Sequence, residues 1–153
     1  MPSESHNSRP NIVFLICHDL GQHVGCLGAP IETPNIDALA GDGVLFSNYA
    51  CTAAQCSPSR GSIMTGRYPH NNGLVGLAHI GWEIGANEVT TPMYLNRAGY
   101  STTLIGHQHE HNEPARLGYQ NINACRHDAR TVAENVCEFL DEVDRDQPFF
   151  VSA

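Results

Sequence analysis

Three short stretches that read as strands, "NIVFLIC" (11–17), "YSTTLIG" (100–106) and the apolar "PFFVSA" (148–153), constrain the fold of this chain more than any other feature. The first is a continuous apolar run too short for a typical helix, the pattern of a strand covered on both faces. Between them lie helical signals. "TPNIDALAGDG" places Thr33 at a cap, Pro34 at the first helical position and Gly41 or Gly43 at the end, and "TPMYLNRAG" closes on Gly99. "DARTVAENVCEFLDEV" sets Ala129, Val132, Ala133, Val136, Phe139, Leu140 and Val143 on one face. "VLFSNYAC" (44–51) reads as a further strand. Strands alternating with helices predict an α/β fold, a mostly parallel sheet flanked by helices, with 11–17 as a central strand. The polar stretch 1–10 is expected to be a tail and 11–153 the N-terminal portion of a larger domain, its sheet left with an unfinished edge.

A chain of 153 residues, 41% of them hydrophobic, can bury a core. Its net charge is −8, and all eight basic residues are arginine, which argues against a nucleic-acid or anionic-membrane surface. No apolar run is long enough to span a membrane, and the start lacks the apolar segment of a signal peptide, so a cytoplasmic location is expected. The six cysteines include no CxxC pair, and a chain of this length needs no disulfide staples. Most of them, Cys17 and Cys137 among them, are expected as small buried hydrophobes.

Cys56 is the exception. In "CSPSR" (56–60), Ser57 is suited to cap a helix and Pro58 to occupy its first position, which puts Cys56 at the positive end, where a thiol is acidified and an anion bound. Open α/β sheets carry their sites beyond the carboxyl ends of strands. Four stretches meet that condition: His18 with Asp19, "CSPSR", the loop 67–87, and "HQHEH" (107–111). They are expected to converge. His70 and His79 would border the pocket, whereas His6, His111 and His127 read as solvated surface.

"CSPSR" followed by "GSIMTG" is similar to the signature of the sulfatase family, in the alkaline-phosphatase-like superfamily, and "NIVFLICHDLG" and "TPNIDALAGDGVLFSNYA" resemble its opening strand and first helix. The resemblance runs from Asn11 onward and implies hydrolysis of a sulfuric ester or sulfamate. It gives Cys56 the role of the residue oxidised to formylglycine, by a formylglycine-generating or sulfatase-maturing enzyme. One hydroxyl of the aldehyde hydrate attacks sulfur and the other expels sulfate by re-forming the carbonyl. Arg60 would orient the hydrate and offset charge. Asp19 matches a metal-binding aspartate, with Cys56 also at the metal, usually calcium.

The chain departs from the family at two places. Asp-Asp is usual where His18-Asp19 stands, and imidazole suits softer ions than calcium, so His18 raises the question of which metal is bound. The usual Gly-Lys-x-His is "GHQH", which keeps the histidine as His109, near the leaving oxygen, and replaces the sulfate-binding lysine by His107. The passage from "CSPSRGSIMTG" to "HNNGLVGL" looks most like the sulfamidase branch and implies a sulfated carbohydrate. A cysteine-dependent phosphatase would need arginine where Ser62 stands. A phosphoester or phosphonate hydrolase of the same superfamily is the alternative, as is an inactive truncated fragment.

Overall fold

The computed structural model describes residues 9–153, and His6 with most of the expected 1–10 tail lies outside them. The chain divides into two compact units, one running up to Ile16 and resuming over Thr52–Ala153, the other Cys17–Cys51. In the first, strands β1 (Ile12–Phe14), β2 (Ser101–Ile105), β3 (Asn121–Asn123) and β4 (Phe149–Ser152) form one sheet in the order β1-β4-β2-β3. Every pairing is parallel, with Val13 opposite Val151, Thr103 opposite Val151 and Leu104 opposite Ile122. The expected parallel α/β sheet is present.

Its helices are α2 (Cys56–Thr65), α3 (Pro69–Asn72), α4 (Thr91–Arg97) and α5 (Ala129–Glu142), while α1 (Pro34–Asp42) belongs to the second unit. Alternate residues of the strands feed two cores. Leu104 and Phe150 pack with Leu74, Ile84, Tyr100, Leu117 and Tyr119. Ile105, Phe149 and Val151 pack against the apolar face of α5, where Val136 is buried. Asp128 starts α5 by accepting a hydrogen bond from the Thr131 N–H at 3.0 Å.

Several expectations are corrected. Among the described residues β1 is a strand of three residues at the edge of the sheet rather than a central one, and Val13 and Leu15 are 45% and 62% exposed. A continuous apolar run reports the capacity for two-sided burial without naming the neighbours that supply it. "VLFSNYAC" is not a strand: among the described residues it finds no ladder partner, Tyr49 closes a turn onto Phe46, and Val44, Phe46 and Tyr49 are exposed. Cys17 and Cys137 are exposed too. On α5 one residue step of about 100° carries Cys137 past the buried Val136 and off the apolar face.

Gly106 takes the chain out of β2 toward the catalytic candidates. Its φ is +81°, a conformation that L side chains rarely adopt, and an added Cβ would lie 2.8 Å from Val132 Cγ2 on α5. Gly106→Ala should therefore lower stability by about 1–3 kcal/mol through strain and overpacking. Urea unfolding measures this, and a midpoint equal to the parent's would show that α5 yields to the methyl group.

Candidate active site

Cys56 is the first residue of α2 and Gln55 its cap, so the thiol stands at the positive helix end, as expected from the sequence. Ser57 does not cap the helix. It is buried, and its Oγ accepts a hydrogen bond from the Ala78 N–H at 3.1 Å. That bond ties the single helical turn Ala78–Ile80 to α2 and fixes where His79 projects. Asn72 orders the chain between them: its Nδ2 donates to Thr65 Oγ1 and to the Arg67 carbonyl, and its Oδ1 accepts from the Leu74 N–H. The long loop is thus built onto the helix rather than left open.

The loop after β2 is shaped by its own side chains. Gln108 Oε1 accepts from the N–H groups of Glu110 and His111, and Gln108 Nε2 donates to the His111 carbonyl. This fold presents His109 to Cys56, with Nδ1 3.2 Å from Sγ. The other ring nitrogen of His109 lies 3.1 Å from His79 Nδ1, and the two rings stack. His107 meets His109 edge-on at 4.9 Å between centroids and packs against His127 at 4.7 Å. The row therefore includes His127, read from sequence as solvated surface. His70 stacks instead on Tyr68. His111, also expected at the surface, is buried: its Nδ1 accepts from the Glu113 N–H at 2.9 Å, and its Nε2 lies 3.5 Å from Glu83 Oε2.

Arg60, one turn beyond Cys56, is buried as well. Its Nη1 lies 3.7 Å from Oε1 of Glu110, and the side chains are only 8% and 2% exposed. The other oxygen of Glu110 accepts from the His109 N–H at 2.6 Å. One carboxylate thus holds both the arginine of α2 and the backbone of the histidine loop. Sequence reasoning missed Glu110. Its one signal is its place in "HQHEH", in the loop that follows the buried strand β2. Burial pushes the Glu110 carboxyl up, while Arg60 and the His109 N–H pull it the other way. Nearby Tyr119 is pushed up to about 12, chiefly by burial.

His18 and Asp19 belong to the second unit. Asp19 is 87% exposed at its side chain, has a φ of +54°, and lies 3.5 Å from His18 Nε2. Among the described residues no group of three His, Cys, Asp or Glu is placed to hold a metal ion. Two adjacent donors fall short of the six to eight oxygens that calcium takes. Asp19 and His18 by themselves therefore do not complete a calcium site, and further donors would be needed to hold the ion.

The sulfatase family model matches residues 10–153. The chain belongs to the sulfatase family. N-acetylglucosamine-6-O-sulfatase of Bacteroides thetaiotaomicron is 34% identical over 129 residues, covering 83% of this chain and 23% of that protein. Human steryl-sulfatase is 40% identical across 70% of this chain and 20% of its own length. The chain thus spans about a quarter or less of these sulfatases. Among solved structures, BT4656 in complex with its substrate D-glucosamine-2-N,6-O-disulfate superposes with a TM-score of 0.78 and 27% identity, over 94% of this chain and 33% of that one. The phosphonate monoester hydrolase of Agrobacterium radiobacter shares the fold, with a TM-score of 0.69 at 22% identity over 94% of this chain and 40% of that one.

The raised Glu110 carboxyl makes stability depend on pH. Below the ordinary glutamate value of about 4.3, folded and unfolded chains both carry the proton. As pH rises toward the higher folded value, the unfolded chain loses its proton first, and the folded state loses stability. The unfolding free energy of the parent relative to Glu110→Gln should therefore fall as pH rises above about 4.3 and then level off. Urea titrations across that range measure it, and a difference that grows with pH would contradict burial as the dominant effect.

Proposed function

We propose that this sulfatase-family chain serves hydrolysis of a sulfate ester or sulfamate on a sugar, with Cys56 as the residue that becomes the nucleophile. The observation that supports this reading is the placement of Cys56 at the first residue of α2, with Sγ 3.2 Å from His109 Nδ1 and the buried Arg60 one turn further on. Formylglycine at position 56, installed by a maturing enzyme, would supply a hydrated aldehyde as the attacking group.

The roles of the chain's own residues follow from their atoms. Arg60 offers a permanent positive charge to the oxygens of the bound group. His109 can hold or release a proton at Nδ1, on the side facing position 56, while His79 occupies its Nε2 side. His107 stands where the family's lysine contacts sulfate and would hold the anion only while protonated. A sulfated sugar as substrate is supported by the amino-sugar disulfate bound to BT4656 and by the N-acetylglucosamine-6-O-sulfatase relative.

Co-expression with a formylglycine-generating enzyme tests the reading. Peptide mass spectrometry should find the aldehyde at Cys56 and at none of the other five cysteines, and Cys56→Ala should lower turnover of an aryl sulfate at least about 1000-fold. An unmodified thiol, or turnover that survives Cys56→Ala, would overturn it.

A further inference from the structure

The helix turn that carries Cys56 has one permanent cation, Arg60, and a carboxylate is buried directly behind it. Both partners are withdrawn from solvent, with 3.7 Å between Nη1 and Oε1. Charges in such surroundings are weakly screened, so the partner of Arg60 changes how much of its positive charge reaches a bound anion. These 153 residues include no lysine, and position 107 carries a histidine. Glu110 is also fixed: its second oxygen accepts from the His109 N–H at 2.6 Å, which leaves it little freedom to swing away from Arg60.

We propose that Glu110 is a positioning residue that sets the anion charge accepted at this site: by offsetting Arg60 it selects a monoanionic sulfate ester over a dianionic phosphate monoester. The inference rests on Arg60 facing the bound group, as in the function proposed above. A sulfate monoester carries one negative charge. A phosphate monoester loses its second proton near pH ~6 and carries two above it. Each unit of positive charge at the site acts once on the first and twice on the second, so cancelling a unit costs the dianion more. The Glu110 carboxylate would thus discriminate between ligands of nearly equal size and shape, which steric contacts separate poorly.

Isothermal titration of the 153-residue chain, with Cys56 unmodified, against phenyl sulfate and phenyl phosphate at about pH 8 tests this, because phenyl phosphate is a dianion there. The parent should bind phenyl sulfate the more tightly. Glu110→Gln, which keeps the shape and removes the charge, should shift the affinity ratio toward phenyl phosphate by about tenfold. Glu110→Asp, which keeps the charge, should retain the parent's preference. Binding of both ligands with an unchanged ratio in Glu110→Gln overturns the proposal and leaves the site reading standing. Failure of the parent to bind either anion overturns the site reading and the proposal with it. Should Glu110→Gln fail to fold, the parent decides alone: preference for phenyl sulfate supports the proposal, and preference for phenyl phosphate overturns it.

Discussion

The ion pair between Arg60 and Glu110 joins helix α2 to the loop after β2, and the candidate chemistry depends on that junction. Burying two charges costs several kcal/mol per ion, and their attraction offsets this only with good geometry and further hydrogen bonds. Here the nearest atoms stand 3.7 Å apart, and the added hydrogen bond comes from the His109 backbone at 2.6 Å. The pair is therefore better understood as fixing one arrangement of two chain segments than as a source of stability. Losing either partner would leave a buried charge uncompensated, a defect worth about 3–5 kcal/mol in comparable cases.

With that junction in place, the positions of the remaining site residues follow from short-range contacts. Gln108 turns the chain so that His109 faces Cys56, and Ser57 draws the turn at Ala78–Ile80 onto the helix so that His79 reaches the far side of His109. Both ring nitrogens of His109 are thereby engaged, which fixes the ring's orientation. Cys56 meets this arrangement at the end of a ten-residue helix, where the aligned peptide dipoles favour negative charge.

Much of this was legible in the sequence because it is encoded locally. Pro34 and Gly43 bound α1, the stretch at 100–106 holds β2, and the face of α5 from Val132 to Val143 follows the helical period. What depends on distant neighbours was not legible. "NIVFLIC" could not reveal that β1 would lie at the edge of the sheet formed by the described residues, and "VLFSNYAC" could not reveal that it would find no partner among them. "NIN" at 121–123 has no apolar pattern, and what marks it as β3 is its pairing with β2. Within the candidate site, the motif points to Cys56, Arg60 and His109, with His109 beside Cys56 and Arg60 one turn along α2. Glu110, in a run of polar residues, draws no reading and His111 reads as solvated, because nothing local shows that Arg60 or the Glu113 N–H will cover them.

A double-mutant cycle on the unfolding free energy bears most directly on the junction. The variants are Arg60→Met, Glu110→Leu and the combination of the two. A buried pair that fixes the helix against the loop predicts that each single substitution is costly and that the double variant recovers part of the loss, with an interaction energy of about 1–3 kcal/mol. Single-variant effects that add to within about 0.5 kcal/mol would show that the two segments are held independently, and would contradict the central place given to this pair.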